Sequence, residues 1–366
     1  MGVATKVGVE RLSVAAYKVP TDQPESDGTL EWDSTTLVLV RVEAGGETGI
    51  GFTYADVAAA KLVDSKLASV VRGWDPLSPQ SAWAAMQNAV RNLGAEAIAA
   101  MAISAVDIAL WDLKARLLGV ALADLLGRFH ERVPIYGSGG FTSYSNARLA
   151  EQLSGWAEQG IPRVKMKLGR DPHADPERLR AARSAIGNGV ELMVDANGAY
   201  RPKQALAWAG RYAEAGVTWF EEPVSSDDLE GLRLVRSEGP PGLAVAAGEY
   251  GWTLGYFERM LAAEAVDVLQ ADVTRCGGIT GLLRVDGLCR ARSRPFSAHC
   301  APAISAHVCC AMETLVHLEY FHDHVRIESM LFDGVLDPVG GVLEPDPSRP
   351  GLGLELKEAD AEEYAL

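Results

Sequence analysis

The segment VKMKLG carries two lysines, Lys165 and Lys167, two residues apart in an otherwise apolar run. Side chains at i and i+2 of a strand share one face, so both ammonium groups emerge on the same side and repel each other. The pair costs stability unless something uses it. A neighbouring cation and partial desolvation both disfavour the charged amine, which allows one lysine to take a proton near neutral pH. We assign the base to Lys167, next to the strand end, and expect Lys165 to lower its pKa and to contact a substrate anion.

Further along, Asp195, Glu221 and Glu249 follow one another at nearly equal intervals. If each interval is one strand–helix unit, the carboxylates sit at one height on neighbouring strands, where they repel unless a proton or a cation lies among them. All-oxygen ligands with no nearby Cys or His favour a hard cation. Mg2+, which keeps positions open for water or substrate oxygens, is the natural choice, and Mn2+ could substitute. Asn197 stands beside the first carboxylate as a substrate-binding candidate; Glu222, beside the second, is expected to pair with a nearby lysine rather than the metal. His299 follows Asp272 by the same kind of interval, again one unit. An Asp that accepts from one imidazole nitrogen fixes the tautomer and frees the other nitrogen for acid or base work. Glu319 completes the series, whereas His307 and His317 lie in apolar runs and read as core.

These side chains need a frame that aligns them. From about residue 133, strand-like runs (VPIYGS, RVKMKLG, ELMVDANG, TWFEEPV, LAVAAGE, VDVLQADV, RPFSAHC, VHLEYF) alternate with Ala-rich helical stretches. Eight strand–helix units imply an α/β barrel, whose catalytic groups come from the C-terminal strand ends, where the polar residues above gather. An open doubly wound sheet is the alternative, but no G-x-G-x-x-G follows any strand. The stretch 1–128 reads as an α+β lobe. Within it, TTLVLVRVEAGGETGIGFTYA predicts a hairpin, and AISAVDIALWDLKARLLG a helix stopped by Gly119. The barrel is expected over 129–324, and a turn-rich segment over 325–366 should return to the first lobe.

The chain has 366 residues and a formal charge of −15, which argues against nucleic-acid binding because no basic footprint is available for phosphates. Five cysteines without a C-x-x-C pair read as buried free thiols. No run of about 18 apolar residues suggests a membrane span. The opening MGVATKVGVERLSV lacks the form of a signal peptide, so a cytoplasmic protein is expected.

Taken together, VKMKLG, VDANGAY, WFEEPV, AAGE and the pair QADV and AHC resemble, in the correct order, the motifs of the enolase superfamily, within it the mandelate racemase subgroup. The resemblance spans essentially the whole chain. It implies a (β/α)7β TIM-like barrel with an α+β capping domain formed by the N-terminal region and the C-terminal segment. It further implies a Mg2+-bound carboxylate substrate, removal of its α-proton, and an enediolate stabilised by the metal, Lys165 and Glu319, with Glu319 placed to hydrogen-bond a substrate carboxylate oxygen. Dehydration of a sugar acid to a 2-keto-3-deoxy acid is the favoured outcome; racemisation or epimerisation of a 2-hydroxy acid and cycloisomerisation of a sugar-acid lactone use the same residues. The polar stretch PTDQPESDGTLEWDSTT, read as a long cap loop, suits a polyol better than an aryl group. Trp32, Thr53 and Tyr54 in the cap, with Tyr144 after the first barrel strand, are candidate substrate contacts. A homo-oligomer is also expected from the resemblance.

Overall fold

The computed structural model describes residues 8–366, so the first seven residues of the opening segment read for a leader lie outside the described residues. The chain begins with an antiparallel sheet, β1 (Arg11–Ser26), β2 (Glu31–Ala44) and β3 (Glu47–Tyr54), in the order β1-β2-β3. Helix α1 (Ile98–Leu118) lies across it and ends at Gly119 in the left-handed conformation. Contact is close enough to require glycine on β3. A Cβ at Gly49 would stand 2.3 Å from the carbonyl oxygen of Ala109, and one at Gly51 would stand 2.4 Å from that of Ala105.

One expectation changes here: residues 20–34 are not a loop. They extend β1 and β2 into a hairpin arm whose register shifts between Pro20 and Glu25. Asp27 closes its turn, accepting from the backbone N–H groups of Thr29 and Leu30 at 2.6 Å each. At the tip, a Cβ on Gly28 would meet the carbonyl oxygen of Ala196 at 2.3 Å, so the arm rests directly on the barrel. Ser26 and Thr142 hydroxyls hydrogen-bond at 2.6 Å, and the Trp32 ring meets Phe141 edge-on at 5.6 Å.

The barrel comprises eight parallel strands: β4 (Val133–Gly139), β5 (Arg163–Lys167), β6 (Glu191–Asp195), β7 (Val217–Glu221), β8 (Ala244–Ala247), β9 (Val268–Asp272), β10 (Phe296–His299) and β11 (Leu315–Phe321). They pair in sequence order, and β11 closes on β4. Alternation along a strand sends every second side chain inward. On β5, Val164 and Met166 join the large apolar cluster, while Lys165 and Lys167 take the other face. Inside the barrel, Tyr136, Met193, Trp219, Ala246 and Val268 form a separate apolar floor.

Two seams hold the lobes together. Asp107 of α1 accepts from the backbone N–H and hydroxyl of Thr280, in the first turn of barrel helix α2 (Gly278–Ala291). Asp112 accepts from the N–H groups of Ile50 and Leu352, tying the cap to the C-terminal segment. That segment also bonds the N–H of Leu366 to the carbonyl of Ala16 and pairs β12 (Phe332–Asp333) with β13 (Glu355–Leu356). All five cysteines are buried and free. Among the described residues, no helix is long and apolar enough to cross a membrane.

Candidate active site

Strand register sets the heights of the site residues. Lys167 pairs with Asp195 and Asp195 with Glu221 across β5, β6 and β7, while His299 pairs with Asp272 across β10 and β9. Glu249 lies just beyond the end of β8. Asp195, Glu221 and Glu249 each offer an oxygen within 4.8 Å of the others, and all three are buried.

Lysines neutralise this cluster. Lys165 Nζ lies 2.5 Å from Glu221 Oε1, 2.8 Å from Glu319 Oε1 and 3.7 Å from Asp195 Oδ2; Lys167 donates to Asp195 Oδ2. Trp219 Nε1 and Gln270 Nε2 hold the other Glu221 oxygen at 2.9 and 3.0 Å, and Ser138 bonds Glu319 at 2.5 Å. Glu249 Oε2 is buried without an aligned hydrogen-bond donor, although His299 Nε2 lies 3.1 Å away. Clustered buried carboxylates with an unsatisfied oxygen and no soft ligand among them fit a hard divalent cation.

The electrostatics correct one expectation. Burial, the largest single influence, and Lys165 both push Lys167 down, but Asp195, Glu249 and Glu319 together outweigh them and hold it above the ordinary lysine value. The lysine pair alone therefore does not make Lys167 a base; its carboxylate partner must first be neutralised otherwise. His299 is held well above the usual histidine value: burial opposes this, but Cys300, Glu249, Glu319 and Asp272 prevail. Its Nδ1 lies 2.8 Å from Asp272 Oδ2, and the second Asp272 oxygen accepts from Thr274 N–H and Oγ1. Nε2 is thus the proton-carrying nitrogen that faces the site.

A cavity of about 450 Å³ lies between arm and barrel, lined among others by Trp32, Tyr54, Lys167, Asn197, Glu249 and His299. Thr53 and Tyr144 are absent from its lining, and this corrects their expected role. Thr53 donates to the carbonyl of Thr274 at 2.8 Å and is fully buried, as alternation on β3 dictates once Tyr54 faces the cavity. Tyr144 packs on Phe141, and Arg148 lies over its ring. Glu222 is also corrected: among the described residues it forms no ion pair with a lysine, and burial, then Glu249, raise its pKa well above the carboxylate range. Its φ of 38° lies in the left-handed region, where the chain turns after β7.

Sequence reasoning missed Arg275, Cys300, Thr35 and Tyr250, which also line the cavity. For Arg275 and Cys300 a signal existed, because each stands just beyond a polar strand end. Thr35 became legible only when the arm proved to be a hairpin.

Comparison with known proteins agrees with this geometry. The mandelate racemase / muconate lactonizing enzyme N-terminal domain model matches residues 13–127, and the enolase C-terminal domain-like model matches residues 148–360. The chain is 31% identical to a 3,6-anhydro-alpha-L-galactonate cycloisomerase of Streptomyces coelicolor, over 95% of this chain and 97% of that protein. It is also 31% identical to L-talarate/galactarate dehydratase of Salmonella typhimurium, over 96% and 89%. Among solved structures, a mandelate racemase/muconate lactonizing enzyme-like protein from Rubrobacter xylanophilus superposes with a TM-score of 0.97 at 67% identity, covering 98% of this chain and 100% of that one. A racemase from Streptomyces coelicolor with bound magnesium gives 0.92 at 29% identity, covering 98% and 100%.

Proposed function

Since the chain belongs to the mandelate racemase/muconate lactonizing enzyme family of the enolase superfamily, we propose that it is a Mg2+-dependent enzyme that removes the α-proton of a sugar acid and dehydrates it to a 2-keto-3-deoxy acid. Asp195, Glu221 and Glu249 would hold the Mg2+. When bound, the ion supplies Lewis-acid stabilisation of the charge that develops on the substrate carboxylate. Lys167 Nζ takes the α-proton. Lys165, buried beside the carboxylate cluster, holds fixed positive charge toward the enediolate, where preorganised groups contribute most, and Glu319, with Oε1 2.8 Å from Lys165 Nζ, orients that ammonium. His299 Nε2 delivers its proton to the β-hydroxyl as the C–O bond breaks; water leaves, and the resulting enol becomes the 2-keto acid. Asp272 keeps the imidazole oriented throughout.

One observation carries the reading: Lys167 and His299 line the same cavity with Glu249 of the carboxylate cluster. Ser34, Thr35, Thr36, Asn197 and Arg275 among its lining residues give that cavity a polar character suited to a polyol acid. Proton NMR in D2O with Mg2+, on a panel of mono- and diacid sugars, tests it. New 3-deoxy signals with wild type, absent from Lys167→Ala and His299→Asn, are expected; none across the panel would refute it.

The 31% identity to a cycloisomerase favours a second reading, action on a sugar-acid lactone. Product from the lactones but not from the open-chain acids would establish that reading instead.

A further inference from the structure

We infer that His299, Cys300 and Glu319 form a second cation site, different in chemistry from the carboxylate cluster, which takes a thiophilic divalent cation such as Zn2+. The ligand atoms make a compact triangle. Cys300 Sγ lies 3.3 Å from His299 Nε2 and 3.4 Å from Glu319 Oε2, and His299 Nε2 lies 3.4 Å from the same Glu319 oxygen. With metal bonds of about 2.0–2.2 Å to N or O and about 2.3 Å to S, tetrahedral ligands stand about 3.3–3.7 Å apart. The three side chains already hold a spacing in that range without rearrangement.

Further observations point the same way. His299 bonds Asp272 through Nδ1 at 2.8 Å, the carboxylate–imidazole support that orients a metal-binding histidine and raises its basicity. Cys300 adopts a left-handed backbone at φ 51°, which a non-glycine residue rarely takes, and Ala301 follows at 45°. His299 and Cys300 both line the cavity, so a fourth position is open to water or ligand. Ligand softness separates the two sites: Mg2+ prefers the all-oxygen cluster, whereas thiolate and imidazole select Zn2+. On binding, the Cys300 thiol proton and the His299 Nε2 proton both pass to solvent, and the freed sulfur and imidazole nitrogen become ligands.

The consequence rests on the dehydratase reading above. A cation held by His299 Nε2 withholds the proton that the departing hydroxyl needs, so Zn2+ inhibits while Mg2+ activates.

The test uses the Mg2+-saturated protein titrated with Co2+, which reports thiolate coordination by a sulfur-to-metal charge-transfer band. Wild type should show the band at one equivalent and lose it to added Zn2+. Cys300→Ser should lack it. His299→Asn should retain it with affinity at least about tenfold weaker. No band in wild type, or a band surviving in Cys300→Ser, overturns the proposal. If Cys300→Ser does not fold, His299→Asn decides, and unchanged affinity there overturns it equally. Should the band appear as expected while no sugar acid or lactone is turned over, the cation site stands and the functional reading fails.

Discussion

Two sets of buried acids occupy this molecule, and their surroundings differ. At the cap–barrel seam, Asp107 and Asp112 each accept hydrogen bonds on both oxygens, from Thr280 in one case and from Ile50, Leu352 and Arg116 in the other. At the barrel mouth, Asp195, Glu221 and Glu249 crowd within one ligand distance, need two lysines beside them, and leave Glu249 Oε2 without an aligned donor, His299 Nε2 standing 3.1 Å away. A buried carboxylate whose lone pairs are all met is a structural joint. One that is crowded and unmet signals a missing partner.

Two histidines close in sequence repeat the contrast. His307, on the barrel's outer layer, feels burial first and then Arg128, and its pKa falls to about 4. His299, equally buried, is surrounded by acids that drive it upward.

The largest effect should come from breaking the mouth. Glu249→Gln is expected to lower turnover at least about 10³-fold and to abolish the rise in Tm that Mg2+ gives wild type, measured by calorimetry with and without EDTA. Removing Mg2+ from wild type should abolish turnover. His299→Asn should cost about 10²–10⁴-fold in dehydration, read as kcat under saturating substrate. At the seam, Asp107→Ala should lose about 1–3 kcal/mol of stability by leaving the Thr280 donors unmet. It should keep the Mg2+-dependent rise in Tm, and losing that rise would blur the two regions.

Acid should also separate the histidines. His307 stays neutral in the fold while its unfolded form titrates near 6.5. The unfolded state therefore binds the proton first, and this contribution is complete above pH 6.5 and is lost as pH falls toward 4, by about 3 kcal/mol. Urea melts between pH 7 and 4 should show a shallower loss in His307→Asn than in wild type; equal slopes would place the titration elsewhere. The smallest effects concern the cap. Thr53→Val should cost about 1 kcal/mol with KM unchanged, whereas Trp32→Ala should raise KM.

Much of this contrast was legible in the sequence. Lysines, carboxylates and a histidine at the ends of apolar runs stand out because nothing else on a buried strand is charged, and their nearly equal spacings reveal one strand–helix repeat. The arm escaped because its strands are polar on both faces, so residues 20–34 lack the alternation that marks a half-buried strand. Thr53 escaped for a geometric reason: a one-residue change of face, set by register, decides whether a polar side chain meets the cavity. Arg275 and Cys300 follow strand ends into loops, where no period predicts direction.

The most direct test is α-proton exchange, followed by NMR in D2O with Mg2+ and a sugar acid that wild type turns over. Wild type should consume the substrate, His299→Asn should exchange the α-proton for deuterium without forming product, and Lys167→Ala should do neither. Exchange undiminished in Lys167→Ala would contradict the account, because proton removal would then not belong to the lysine at the barrel mouth.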